Sequence, residues 1–326
     1  MYSPKRIVLI ANVKKIPGKG YAKHMSALDL TKRVTNKLIA RAVRKNGHEL
    51  VEYDNLHDFL VNIDRHKNDL VFPFHFGIAS KIRQSYVQTV CESQNIKYIG
   101  GDAYAQTIGN DKALSKEICR YAGINTPGFK ILFDKNYPPD ITVLSLPLIV
   151  KPQFEGDSIG ISDANVFYSY DEVLPFAATL LNDLQLPVLI EEYIAGREIS
   201  ICVIGYKRII KNIGIVENVT KKALVSSYND KKFKFSFNKY KHVPELLTGD
   251  IVQQVTELFH SLDKLEYIRL DFIYQNNIFY NIELTVDPDL APHSCFHLAF
   301  QMKYSEYIEL LISNCIERYE FIQEAS

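Results

Sequence analysis

The sequence predicts a mixed α/β fold, and three observations carry that prediction. Short apolar strands alternate with amphipathic helices through roughly the first hundred residues. A second strand–loop–helix–strand unit begins at Leu146, and two longer strands joined by a polar turn follow near the C-terminus. At about 100 to 200 residues per domain, a chain of 326 residues makes two domains or three small ones.

Taken in order, Arg6 to Ala11 reads as a buried strand. Ala27 to Asn46 reads as a helix with Ala27, Leu30, Val34 and Leu38 along one stripe and Gly47 placed to end it. Leu70 to Phe74 and Lys97 to Ile99 read as further strands with a helical stretch, Ile82 to Ser93, between them. That βαβ rhythm predicts a parallel sheet. The segment after the first strand, Ala11 to Gly20, is not a GxGxxG loop, which argues against dinucleotide binding. Asn110 is placed to cap a helix from Asp111 to Ala122, stopped by Gly123 with Pro127 beyond. Strand Leu146 to Lys151 leads through a glycine-containing loop to a helix near Asp171 to Asn182 and a strand Val188 to Glu192. Strands between Glu198 and Glu217, a lysine-rich loop and a helix Ile251 to Leu262 come next. Paired strands Ile268 to Tyr274 and Ile278 to Leu284 follow, then a terminal helix from about Tyr304 to Tyr319. No repeat and no Pro-, Gly- or Ser-rich linker separates these units, so they are expected to pack closely.

Composition excludes several classes. The chain has 38 Lys+Arg and 38 Asp+Glu, a formal net charge of zero, so no broad basic field for nucleic acid is expected. No stretch approaches the ~20 apolar residues of a membrane helix, and no secretory signal stands at the N-terminus. Five scattered cysteines, none spaced as CxxC, fit reduced thiols in a cytoplasm; Cys295 reads as a small buried apolar residue.

The sharpest chemical signal is the paired-strand region. Side chains alternate along a strand, so Arg269 and Asp271 share one face, with Leu270 and Phe272 on the other. On the returning strand Asn281, Glu283 and Thr285 form the polar set. With the turn centred on Asn277, Asp271 falls opposite Glu283 on the same face. Opposed carboxylates repel, and Mg²⁺ carrying phosphate oxygens is a natural cation to relieve them. The alternative is a half-exposed hairpin whose acids face water.

Lysines sit where anions are expected. Lys151 ends the buried strand Leu148-Ile-Val150 just before Pro152, and the loop Glu155-Gly156-Asp157-Ser158-Ile159-Gly160 would let backbone N–H groups approach phosphate oxygens. Lys112 lies in a first helical turn, where a cation opposes the helix dipole unless an anion binds there; a surface lysine is the alternative. Glu191 and Glu198, in the connector Glu191 to Glu198, are candidate acceptors for an adenine amino group and ribose hydroxyls, against the simpler reading of a charged loop.

Together these segments resemble the ATP-grasp superfamily and, within it, the D-alanine–D-alanine ligase branch. The matching stretches are Asn110-Asp-Lys112, Leu148 to Pro152 with Glu155-Gly156 and Ser158-Ile-Gly160, Val188 to Glu191 with Gly196 and Glu198, Arg269-Leu-Asp271, and Glu283 through Ser294. The resemblance runs from about Asp69 to the C-terminus. It implies an ATP-grasp fold with an N-terminal pre-ATP-grasp α/β domain (1–103), a small central domain (104–189) and a C-terminal domain (190–326), with ATP between the last two. Lys112 and Lys151 would bind phosphates under a loop carrying Glu155, Gly156 and Ser158. Glu191, Glu198 and the backbone at Tyr193 and Ile194 would hold the nucleoside. Asp271, Glu283 and Thr285 would ligate Mg²⁺, with Mn²⁺ an alternative. Arg269, Lys231 and Ser158 would serve the reaction itself, and His75, Asp157, Asp287, His293 and Ser294 would line the substrate site. The activity implied is ATP-dependent joining of a small-molecule carboxylate to an amine through an acyl phosphate. By family analogy homodimerisation is also open.

Departures from the family pattern bear on substrate more than on reaction. The family's Gly-Gly-x-Ser-x-Glu segment is replaced by Ala11-Asn-Val-Lys-Lys15, and its His-Gly pair by His75-Phe76-Gly77. Asp157 stands for a serine and Thr285 for the asparagine metal ligand, with Asp287 or water expected to assist. Lys231 retains the mobile-loop lysine, but a lysine follows it where the family has tyrosine. His293 and His297 also admit a purely structural role. These differences favour an amino-acid or peptide ligase of specialised biosynthesis; the alternatives are a D-alanine–D-alanine ligase proper, a ligase using another amine, and an ATP-binding regulatory protein without turnover.

Overall fold

The computed structural model describes residues 4–11, 33–74, 81–82, 84–154, 163–207, 209–219 and 240–324. Three sheets organise the described chain. The first is parallel and ordered β2-β1-β3-β4, from β1 (Arg6–Ala11), β2 (Glu49–Tyr53), β3 (Leu70–Phe74) and β4 (Lys97–Tyr98). Both faces of β1 and β3 are buried, as their unbroken apolar sequences require. One face packs helices α2 (Leu56–Asn62) and α3 (Tyr86–Ser93) around Val8, Ile10, Val71 and Phe59. The other meets α1 (Arg33–Lys45).

Helix α1 corrects the stripe expected from sequence. Val34 is 68% exposed, and the buried side runs through Thr35, Ile39, Ala42 and Val43. The face is rotated because Ile39, Ala42 and Val43 join Ile7 and Leu9 in one apolar cluster that also contains Leu311 and Ile312. The expected helical start at Ala27 and Leu30 lies outside the described residues. Strand β2 and helix α2 had no clear sequence signal, since the edge strand has Glu49 and Glu52 exposed and Leu50, Val51 and Tyr53 only half-buried, with no alternation between its faces.

Helices α4 (Ala103–Asn110) and α5 (Lys112–Tyr121) follow. The N-cap of α5 is Asp111 rather than Asn110: its carboxylate accepts from the N–H groups of Ala113 and Leu114 at 3.0 and 3.2 Å. An anion suits a helix N-terminus better than an amide, and Asn110 instead closes α4 and donates to the Lys81 carbonyl at 2.7 Å.

The second sheet is antiparallel, ordered β5-β8-β6-β7, from β5 (Phe129–Leu132), β6 (Leu148–Pro152), β7 (Val166–Phe167) and β8 (Val188–Glu192). Helix α6 (Tyr170–Leu184) covers it through Val173, Ala177 and Leu180. The third, antiparallel sheet is ordered β11-β10-β9-β12-β13, from β9 (Arg197–Tyr206), β10 (Ile209–Asn218), β11 (Tyr240–His242), β12 (Tyr267–Gln275) and β13 (Ile278–Thr285). Its Ile199, Ile201, Ile268 and Leu270 side packs with α4, α5 and α7 (Gly249–Leu262). Its opposite side bears Cys202, Ile204 and Tyr267, which join the cluster under α8 (Cys295–Ala299) and α9 (Tyr304–Glu324). Helices α4 and α5 therefore share the core of the third sheet, while the second sheet extends through Glu192.

Candidate active site

The site is built on one face of β9, β12 and β13. Asp271 pairs with Ser200 on one side and Glu283 on the other, and Arg269 pairs with Cys202 and Thr285. Two polar rows thus cross the sheet side by side. The expected opposition of Asp271 and Glu283 is present, but it arises differently. The turn has two central residues, Asn276 and Asn277, both at positive φ (51° and 62°), as a tight hairpin turn demands. That turn pairs Phe272 with Asn281, and a bulge at Ile282 then shifts the register so that Glu283 meets Asp271.

The bulge also removes Asn281 from the polar set. Asn281 is fully buried on the other face, where its Nδ2 donates to the carbonyls of Asp271 and Glu283 at 3.2 and 3.0 Å. It satisfies backbone groups that the bulge leaves without ladder partners.

Each carboxylate of the pair has a cation from the chain. Arg269 Nε and Nη2 donate to both Asp271 oxygens at 2.8–3.0 Å, and Nη2 also donates to Thr285 Oγ1 at 3.2 Å. Ser200 Oγ donates to Asp271 Oδ1 at 2.6 Å. Glu283 is approached by Lys112 Nζ at 3.4 Å. Burial opposes the Arg269 charge, but Asp271 beside it more than compensates and raises its pKa above the ordinary arginine value. Lys112, the first residue of α5, is buried, and its side chain crosses to the hairpin, which explains a cation at a helix N-terminus.

The second group of charges lies between the second and third sheets. Lys151 of β6 reaches Glu191 Oε2 of β8 at 2.8 Å, and Lys116 of α5 reaches Glu191 Oε1 at 3.2 Å. Lys116 also donates to the Asn281 carbonyl at 3.1 Å. Burial works against the Glu191 charge, but the two lysines outweigh it and hold its pKa below the usual glutamate value. Lys116 was not singled out in the sequence; a lysine one turn beyond Lys112 reads as a solvated helix face. Ser200 was equally silent, because a lone serine in a strand carries no spacing signal.

The remaining expected residues fall as follows. Glu198 is half-buried on the same face of the third sheet and accepts from Asn218 Nδ2 at 3.2 Å. Tyr193 and Ile194 are half-buried beyond β8, with the Tyr193 N–H donating to the Pro147 carbonyl at 2.8 Å. Asp287 is half-buried in the seam with the first sheet, where a Cβ on Gly100 would lie 3.4 Å from its Oδ1; removal of its carboxyl from water pushes its pKa up to about 7. His293 is exposed. Ser294 caps α8, accepting from the His297 N–H at 3.2 Å. His297 holds its loop through the carbonyls of Pro292 and Met302, at 2.6 and 3.0 Å. Beside Ser294, a hydrogen bond with Cys202 pulls the Cys295 thiol down to about 7 against its burial, with help from Arg269. His75 follows the last residue of β3, and His75, Glu155, Gly156, Asp157, Ser158 and Lys231 lie outside the described residues.

Among the described residues no group of three or more His, Cys, Asp or Glu side chains is arranged to hold a metal ion by itself. Asp271 and Glu283 are instead a two-carboxylate set, the donor number that suits a hard cation completing its shell with water and substrate oxygens.

A model of the D-ala D-ala ligase C-terminus matches residues 118–317, more than half of the chain. The chain belongs to the D-alanine–D-alanine ligase family. It is 26% identical over 280 residues to the D-alanine–D-alanine ligase of Aquifex aeolicus, spanning 85% of this chain and 92% of that protein. Its fold matches the solved D-alanine–D-alanine ligase of Bacillus anthracis complexed with ATP at a TM-score of 0.71, with 22% identity over 97% of this chain and 99% of the other. It also matches the VanG D-Ala:D-Ser ligase of Enterococcus faecalis at 0.69, with 18% identity over 96% and 100%. This member of the family therefore has the ATP-grasp fold and is an ATP-dependent carboxylate–amine ligase that forms an amide bond between small molecules. Among its described residues no helix is long and apolar enough to cross a membrane.

Proposed function

We propose that the chain is a D-alanine–D-alanine ligase, joining the carboxylate of one D-alanine to the amine of a second in the cytoplasm with conversion of ATP to ADP and phosphate. The observation that carries the reading is the convergence of Lys112 on the hairpin that presents Arg269, Asp271 and Glu283 on one face. The shared activity of the curated relatives supports D-alanine over the specialised-peptide substrates suggested by the altered segment Ala11 to Lys15, most of which lies outside the described residues.

The chemistry follows from a physical problem. A carboxylate is a poor electrophile because oxide is a poor leaving group; phosphorylation makes it an acyl phosphate that an amine can attack. In this reading Lys112 and Lys151 hold the nucleotide phosphates, Glu191 and Glu198 face the nucleoside, and Arg269 steadies negative charge on the reacting carboxylate. Asp271 and Glu283, with Thr285, would hold Mg²⁺, which supplies further screening of phosphate charge. Ser294 and His293 would contact the acceptor's carboxylate.

The test is ADP release from Mg-ATP, measured with D-alanine, L-alanine, D-serine and mixed pairs, with product masses determined. D-alanine-dependent release and a dialanine mass are expected. Release only with a different amine, or ATP binding without ADP formation against the whole panel, overturns the proposal.

A further inference from the structure

Lys116 has 0% of its surface exposed, and its ammonium group rests between two elements that meet at the site. It stands four residues after Lys112, on the same face of α5. Its Nζ lies 3.2 Å from Glu191 Oε1 and 3.1 Å from the Asn281 carbonyl, while Lys151 Nζ lies 2.8 Å from the other Glu191 oxygen. Burying an ammonium group costs several kcal/mol before any partner is counted. Burial indeed drags the Lys116 pKa down to about 8 even with Glu191 beside it. An apolar residue filling the same space avoids that cost, so space-filling alone gives no reason for a lysine.

Charge gives one. Two ammonium groups share one carboxylate, and the cluster carries a net single positive charge. Without Lys116, Lys151 and Glu191 form a closed neutral pair, and Lys151 has no surplus charge to offer an anion. We propose that Lys116 is a positioning residue that neutralises Glu191, so that Lys151 keeps a net positive charge for a nucleotide phosphate. The inference rests on the nucleotide reading of the site above and adds to it a residue that, being fully buried, acts through its neighbours.

Calorimetric titration of the full chain with ADP and with adenosine separates phosphate recognition from nucleoside recognition, and thermal unfolding reports the fold of each variant. Lys116→Met is expected to weaken ADP about tenfold or more relative to adenosine, the scale of losing one charge-assisted contact. Glu191→Gln is expected to move the ADP-to-adenosine ratio the other way. The double variant K116M/E191Q is expected to recover most of the ADP loss, because it restores the single positive charge on Lys151 and leaves no buried carboxylate unpaired. An unchanged ratio in Lys116→Met overturns the proposal. So does a double variant no better than the single one, which is the result a purely structural lysine gives. Failure of the unaltered chain to bind ADP overturns the nucleotide reading itself, a result distinct from either.

Discussion

Two carboxylates facing each other across neighbouring strands repel, and here the chain answers each with its own cation. Asp271 is the more enclosed, its side chain 12% exposed against 28% for Glu283, and it receives bonds from Arg269 and Ser200. Asp271→Asn is therefore expected to cost about 1–3 kcal/mol of stability by leaving Arg269 poorly paired, whereas Glu283→Gln costs under about 1 kcal/mol. Both are expected to lower kcat at least about 100-fold, as loss of a group that organises transition-state charge does. Urea unfolding and steady-state kinetics measure the two effects; full activity in both variants sinks the metal assignment. At this scale the sequence is legible where alternation and spacing speak. Arg269, Asp271, Glu283 and Lys112 declare themselves because charged residues at those points of strands and helices are anomalous. Lys116 does not, because its burial is decided by β8 and β13, which are remote in sequence.

Elements were easier to read than the joints between them. Strands β1, β3 and β8 fall where they were expected, since each is built on an uninterrupted buried apolar run, Ile7 to Ala11, Leu70 to Phe74 and Val188 to Ile190. The hairpin register is more instructive. A three-residue turn centred on Asn277 and a two-residue turn followed by a bulge at Ile282 give the same Asp271–Glu283 pairing, and only the second sends Asn281 to the opposite face. Bulges leave no mark in a pattern of alternating side chains, so this part was hidden. Packing joints are hidden too. A Cβ on Gly214 of β10 would lie 2.4 Å from the Ala299 carbonyl oxygen at the end of α8, the helix capped by Ser294. Gly214→Ala is expected to push α8 from the sheet and cost about 1–3 kcal/mol in urea unfolding. A change below about 0.5 kcal/mol would show that α8 has room to move.

At the scale of the molecule, the seam between the first and third sheets is closed by charge. Glu266, fully buried, accepts from the Gly100 N–H and pairs with Arg318 of α9 at 2.7 Å, while Arg318 Nη2 donates to the Tyr98 carbonyl at 2.8 Å. Burial pushes the Glu266 pKa from the ordinary 4.5 up to about 7, with Arg318 and the Gly100 N–H working against the rise. Between those values the folded chain holds a proton that the unfolded chain has released. Glu266 therefore contributes most below about pH 4.5, and its contribution is lost as pH rises towards 7, at up to about 1.4 kcal/mol per pH unit. Unfolding free energies of the native chain and Glu266→Gln at pH 5, 6, 7 and 8 check this. The native chain is expected to lose stability relative to the variant up to about pH 7 and then run parallel; parallel curves throughout would remove Glu266 as the cause. The role of α9 was not visible beforehand, because its pattern announces a helix but not the surface it covers. That surface includes Ile7 and Leu9 of the first strand, beside Leu311, Ile312 and Cys315 of the last helix. During synthesis the ribosome delivers Ile7 nearly the whole chain before Leu311. Domains fold as units as they emerge, N-terminal first. Here α1 covers part of that apolar side of the first sheet early, and the part that meets Leu311 and Ile312 waits until α9 arrives, an interval set by translation rather than by any local preference of the strands.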